Sequence, residues 1–290
     1  MGIDEVMAAV ARGEACTEET SDSSRSRLVV DVPAKPATLL QNWTFGRGGT
    51  VPTMDVVWDH FYPLLRNGVD HHESNGEWQR YAADGVSMAE DLKLTASIID
   101  PALGLANGNI RSGMIRSIWN GMYGYWEARM KLSPGNALWP AAWIIAADGP
   151  WPPELDIMEQ VNSPTEGLHK YHVNTHKEGN GVIAESKLDK WKAYWVGPKA
   201  STPLADDYHT YGLEWLTDRV RFYFDDVLVW DRKYKWFDNN GILAGPANLI
   251  LNLAVGGNWA GAPDNPDVFP ATVSVAWARV WDSRPFLHQR

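Results

Sequence analysis

The chain has 290 residues, 44% of them hydrophobic, with a formal net charge of −10 and a single cysteine, Cys16. That length suits one large β domain or two ordinary ones. The acidic balance disfavours nucleic acid and, less strongly, heavily sulfated polysaccharide; one cysteine excludes an internal disulfide framework, and no run approaches the about 20 apolar residues of a membrane span.

In chain order, residues 1–35 read as an N-terminal tail or linker. Thr17 to Ser26 are nearly all small or charged, with a short helix predicted at Glu5 to Arg12 and a first strand at Leu28-Val29-Val30. No signal peptide is visible: Met1 to Glu5 lacks a basic residue, and Val6 to Ala11 is too short for an apolar h-region. From Trp43 onward the pattern is short strands punctuated by Gly, Pro, Asn and Asp. Gly46 to Pro52 and Pro63 to Gly76 read as long loops. The pair His71-His72 lies in the second, where the absence of an evident third ligand favours a surface loop over a metal site.

Strands are predicted near 92–98, 112–118, 123–132, 140–146, 154–161, 168–176, 208–216, 219–224, 227–232, 247–255 and 272–282. Thr217-Asp218 and Asp225-Asp226 are the hairpin turns. No helical pattern exceeds two turns, and there is no internal repeat. The fold class that follows is all-β, a β-sandwich.

The stretch Glu154-Leu155-Asp156-Ile157-Met158-Glu159 is the chemical centre. Apolar and acidic residues alternate from Glu154 to Asp156, as on a strand with one wet face and one packed face. Strict alternation would send Glu159 to the opposite face; a β-bulge at Ile157-Met158 returns it. Three like charges on one face repel, which is useful only where one carboxyl must hold a proton near neutral pH. A charged and a protonated carboxyl flanking one bond are the equipment of a glycosidase. The 16 tryptophans, against 7 phenylalanines, fit the same chemistry, since an indole offers a broad apolar face to a sugar ring and a polar N–H to its edge.

This stretch resembles the E-x-D-x-x-E signature of glycoside hydrolase family sixteen in its bulged, laminarinase-like form. Supporting blocks run through Ser112-Gly113-Met114-Ile115-Arg116-Ser117, Tyr123 to Arg129, Leu138 to Trp143, Tyr211 to Trp215 and Leu251 to Trp259, in order from about residue 40 to the C-terminus. The resemblance implies a jelly roll with a concave substrate cleft, residues 36–290 forming the catalytic domain. It implies Glu154 as nucleophile, Glu159 as acid and then base, and Asp156 as the group that tunes both. It also implies a substrate-binding set: Asn75, leading the stretch Glu77-Trp78-Gln79-Arg80-Tyr81; Trp139 and Trp143 near the cleavage point; Trp119 and Trp259 as walls; His172 and His176 on the next strand; and Asn252 for a sugar hydroxyl. Trp126, Trp215 and Trp277, in alternating strand contexts, read as core.

Two departures bear on this. Many members bind a structural calcium through an acidic residue in a V-D-Y-V-R-V pattern; here Val275-Ala276-Trp277-Ala278-Arg279-Val280 places Ala276 there, and alanine offers no side-chain oxygen, leaving only Asp282 or loop carbonyls. The arginine usual after Ser-Gly is Met114. The expectation is therefore a monomeric, secreted, retaining endo-glycosidase with no cofactor, acting on a β-1,3- or mixed β-1,3-1,4-glucan. The alternatives are a galactan or bacterial exopolysaccharide hydrolase or transglycosylase on the same fold, and a non-catalytic β-glucan-binding protein. Relatives of the last kind lose one or both glutamates, and both are present here.

Overall fold

The computed structural model describes residues 36–45, 58–59, 75–88, 90–148, 151–163, 167–176, 192–195, 203–238 and 240–285. The expected N-terminal tail with Leu28-Val29-Val30, the loop containing His71-His72, the Gly46 to Pro52 loop and Cys16 lie outside the described residues.

The described strands are β1 (Leu39–Thr44), β2 (Trp58–Asp59), β3 (Gln79–Tyr81), β4 (Val86–Met88), β5 (Leu92–Ile98), β6 (Ile110–Ser112), β7 (Met114–Ser117), β8 (Gly124–Lys131), β9 (Leu138–Ala146), β10 (Glu154–Glu159), β11 (Lys170–His176), β12 (Lys192–Trp195), β13 (His209–Trp215), β14 (Arg219–Phe224), β15 (Val227–Lys233), β16 (Ala247–Val255) and β17 (Ala271–Trp281). They form two sheets, a jelly-roll sandwich. One runs β15-β14-β13-β8-β17-β5-β6-β3, with β1 joined to β17 and β4 to β5; the other runs β12-β11-β10-β9-β16-β7-β2. The α-helix among the described residues is a single turn, α1 (Gly257–Ala260).

Two-residue periodicity explains the layering. On β16, Leu249, Leu251 and Leu253 face the other sheet, together with Ile144 of β9, Leu155 of β10 and Val173 of β11. From the larger sheet Trp126, Leu213, Trp215 and Phe222 meet them, all essentially inaccessible to solvent. Burying such side chains stabilises the sandwich by about 1.5–3 kcal/mol each. The alternate residues of the smaller sheet point away from this core, and they build the site.

The turn at Asp225-Asp226 has φ of +44° and +69°, the left-handed pair a tight type I′ hairpin requires. Asp225 secures it by accepting from the Thr210 amide at 2.8 Å and holding His209 Nδ1 at 2.7 Å.

Two expectations are corrected. The run 112–118 is not one strand: β6 pairs with β5 and β3, whereas β7 pairs with β16 and β2, so the chain passes from one sheet to the other at Gly113. A Cβ at Gly113 would collide with the carbonyl oxygen of Gly85 and press on Leu94 Cα at 3.0 Å, so the crossing needs glycine. Trp277 is not core. A register shift between Val275 and Trp277 turns it outward, where it is half-buried beneath the Arg279 guanidinium, 4.1 Å from the ring centroid.

Gly113→Ala should therefore lower the unfolding temperature by about 4 °C or more, corresponding to about 1–3 kcal/mol of overpacking. Thermal unfolding followed by circular dichroism checks this; an unchanged midpoint would show that the crossing has slack.

Candidate active site

Strand β10 carries the expected bulge. Asp156 lies opposite Trp143 of β9 and Asn174 of β11, while Glu159 lies opposite Ala141 and His172, so three residues on β10 span two on each neighbour. Leu155, Ile157 and Met158 enter the core. Glu154, Asp156 and Glu159 are left together on the outward, concave face, Asp156 and Glu159 buried and Glu154 partly exposed.

The neighbouring strands supply partners. His176, paired in register with Glu154, places Nε2 3.0 Å from Asp156 Oδ2 and 3.5 Å from Glu154 Oε1. Asn174 Nδ2 reaches the same ring nitrogen at 3.1 Å, its own Oδ1 accepting from the Thr175 amide. Tyr234 donates its hydroxyl to the His176 carbonyl at 3.1 Å. On β9, Trp139 Nε1 donates to Glu159 Oε1 at 3.1 Å, and Trp151 Nε1, just before β10, donates to Glu154 Oε2 at 2.9 Å.

The expected binding residues separate into three groups. Trp139, Trp259 and His172 form one aromatic wall beside Glu159: the Trp139 and Trp259 ring centroids are 5.2 Å apart and those of His172 and Trp259 4.6 Å, both edge to face. Trp143 and Asn252 belong to the floor. Trp143 Nε1 donates to Asn252 Oδ1 at 2.8 Å, and Asn252 Nδ2 donates to the Tyr81 hydroxyl at 3.0 Å. Asn75 lies on the segment entering β3, where its Nδ2 donates to Glu77 Oε1 at 3.1 Å and its carbonyl accepts from the Asn258 amide at 2.7 Å.

That segment packs against Gly256-Gly257, where φ is +73° and +105° and a Cβ on Gly257 would crowd the Asn75 carbonyl at 2.9 Å. Trp119 is the exception among the expected walls. It turns inward and packs against the main core, its centroid 5.6 Å from Trp126 and 6.2 Å from Trp43. It follows β7, whose inward residue Ser117 accepts the Leu249 amide, and the chain continues from there on the core side. Met114, at the position usual for arginine, fills an apolar patch on the concave face with Tyr81, Ile145, Ile250 and Trp143.

Trp151, Tyr234 and Asn174 escaped the sequence reading. A tryptophan three residues before an acidic strand and followed by Pro152-Pro153 was the available signal for the first. Nothing in the sequence marks Tyr234, which arrives from after β15.

Among the described residues, one group of acidic and histidine side chains lies close enough to hold a metal: Glu154, Asp156 and His176, with ligand atoms within 4.8 Å of one another. Around Ala276, where many members of the resembled family carry an acidic residue, the nearby oxygens are engaged within the chain. The Ala276 carbonyl accepts from the Phe45 amide, and Asp282 Oδ1 accepts from the Thr38 amide and the Ser283 hydroxyl.

Comparison with known proteins places this arrangement. The profile of glycosyl hydrolases family 16 matches residues 73–279. A β-glucanase from Rhodothermus marinus is 31% identical over 55% of this chain and 57% of its own. An endo-1,3-1,4-β-glycanase, ExsH, from Rhizobium meliloti is 30% identical over 49% of this chain and 26% of its own. The chain thus spans between about a quarter and just over half the length of these curated relatives. The solved endo-β-1,3-glucanase from Pyrococcus furiosus superposes with a TM-score of 0.67 at 25% identity, covering 86% of this chain and 95% of that one. None of the described helices is long and apolar enough to cross a membrane.

The electrostatics of the site generate a stability prediction. Burial first, then the charge of Asp156, pushes the Glu154 carboxyl up to about 8, while His176 and Trp151 pull it back. Glu159 is held well above the usual carboxylate range by burial and by Asp156, Glu154 and Glu77, with Trp139 in opposition. A carboxyl raised in the folded state binds more protons than in the unfolded chain, so stability is lost as pH rises from the ordinary glutamate value near 4.5 through about 8. Glu159→Gln, which removes one acid from the cluster, should raise the unfolding temperature above wild type by about 3 °C at pH 8. The gain should shrink towards pH 4.5; a gain independent of pH would contradict this origin.

Proposed function

The chain belongs to glycosyl hydrolases family 16, and from that premise we propose that it is a retaining endo-glycosidase. Its substrate is a β-linked polysaccharide, a β-1,3- or mixed β-1,3-1,4-glucan, cleaved through a glycosyl-enzyme intermediate. The observation that carries this reading is the bulge in β10, which delivers Glu154 and Glu159 to one face with Asp156 between them.

In the first step Glu154 attacks the anomeric carbon while Glu159 gives its proton to the departing glycosidic oxygen. In the second, Glu159, now a carboxylate, takes a proton from water, which attacks the same carbon and releases Glu154. Retention of the anomeric configuration follows from two displacements at one carbon. Asp156, 3.0 Å from His176 Nε2, lies beside both glutamates and raises the proton affinity of each. The Trp139 N–H orients Glu159, and the wall of Trp139, Trp259 and His172 offers ring faces and edges to sugar beside it.

The choice of glucan is supported by the names of the relatives, a β-glucanase and an endo-1,3-1,4-β-glycanase, and by the solved endo-β-1,3-glucanase. The apolar patch around Met114, in place of a cation, supports an uncharged polymer over a sulfated one. Residues 36–290 form the catalytic unit. A polymeric substrate cannot enter a cell intact, which supports a secreted protein, and a cleft built within one chain supports a monomer.

Reducing-end release from laminarin and lichenan, with agarose and carrageenan as controls, tests substrate and activity together. Glu154→Gln should lower kcat by at least about 10³-fold, and Glu159→Gln by about 10²–10⁴-fold on an unactivated glycosidic bond. Proton NMR of the earliest product should show the β anomer. Wild-type activity retained by Glu154→Gln would overturn the mechanism; binding without turnover on any glucan would point to a recognition protein.

A further inference from the structure

Each glutamate receives one indole N–H, and the two donors are held differently. Trp139 is a strand residue on β9, packed against Trp259. Trp151 precedes β10 and is 41% exposed. Pro152 and Pro153, both buried, lead from it directly into Glu154, and their rings fix φ along that approach. On its other side the indole lies against the His176 ring, centroids 5.6 Å apart. A solvent-facing side chain is thus held at one angle by two prolines and a histidine, with its N–H on Glu154 Oε2 at 2.9 Å.

We propose that Trp151 is a positioning residue for the nucleophile: its indole N–H anchors one oxygen of Glu154, fixing the orientation of the carboxylate and favouring its charged form. The inference rests on Glu154 acting as the nucleophile. The charged and titratable groups facing that carboxyl are Asp156 on its own strand, Glu159 beyond the bulge, His176 on β11 and Tyr234 from the segment after β15. Burial and Asp156 favour protonation of Glu154; His176 and the Trp151 N–H oppose it. Because the indole donor is neutral, it favours the anion without adding a counter-charge that would have to be displaced when Glu154 becomes an ester.

Trp151→Phe removes the N–H and keeps an aromatic ring; Trp151→Ala removes both. The full chain, carrying glutamate labelled with ¹³C at the side-chain carboxyl, is titrated by NMR as wild type and in both variants, Glu154→Gln assigning the resonance. The Glu154 midpoint should move upward in both variants, the acid limb of kcat/KM on laminarin should move with it, and kcat should fall about 10-fold, the effect of losing a hydrogen bond to a charged group. In Trp151→Phe, KM should stay within about 2-fold, because the ring remains. A Glu154 midpoint unmoved in both variants overturns the proposal whatever happens to kcat, since a mere wall would leave it in place. If the midpoint moves but wild type hydrolyses no glucan, the anchoring of Glu154 by Trp151 stands, while the glycosidase reading, and with it the role towards a nucleophile, falls.

Discussion

One extra residue in β10 sets the terms for the cleft. Without it the second glutamate would lie in the core and the first would have no partner. With it, three acids share one face, and the structure must tolerate their repulsion. The donors that meet them include indole N–H groups on both glutamates and an imidazole that reaches both Asp156 and Glu154. Glu77 adds a fourth acid at the floor, its two oxygens held by Asn75 and Gln79. Neutral N–H donors favour a carboxylate less strongly than a guanidinium would. A proton can therefore return to Glu159, as the proposed acid and base steps require.

The same two-residue period that builds the core builds the site. β16 sends leucines inward and Asn248, Ile250 and Asn252 outward; β11 sends Tyr171 and Val173 inward and His172, Asn174 and His176 outward. Rigidity of the site follows from this arrangement. The three acids, Trp139, Trp143, His172, His176 and Asn252 stand on strands whose alternate residues are locked in a dry interior, and the side chains are further tied across strands. The relay from Trp143 through Asn252 to Tyr81 joins three strands far apart in the chain, so the floor is a property of the assembled sandwich and not of any local segment.

How much of this the sequence disclosed depends on whether the information was local. The acidic strand was legible because alternation, crowding and the bulge all lie within six residues, and the long strands because their period persists. The facing of individual rings was harder. Trp277 looks inward by alternation from Val273 and Val275, and only the irregular pairing with β8 turns it out. Trp119 looks like a candidate cleft wall from the sequence, lying between two family blocks, yet the path of the chain after β7 turns it to the core. The strand-like stretch through Gly113 hides a change of sheet, because nothing in the residues on either side of the glycine marks the crossing. Trp151 was missed for the opposite reason: it lies outside any periodic element, and only the two prolines between it and the acidic strand mark it.

Strand β17 has a consequence for biosynthesis. It lies in the interior of the larger sheet, bonded along one edge to β8 and along the other to β5 over its first half and β1 over its second. It is the last described strand to leave the ribosome. Until then the strands destined to flank it have open backbone edges and an uncovered apolar face, the state most open to mispairing with other chains. The nascent polypeptide therefore cannot zip up progressively from its N-terminal side; closure waits for the final hydrogen-bonded insert. Premature termination shortly before residue 271 would leave two half-sheets with no seam between them, so completion of this one strand bears on solubility as heavily as any substitution in the interior.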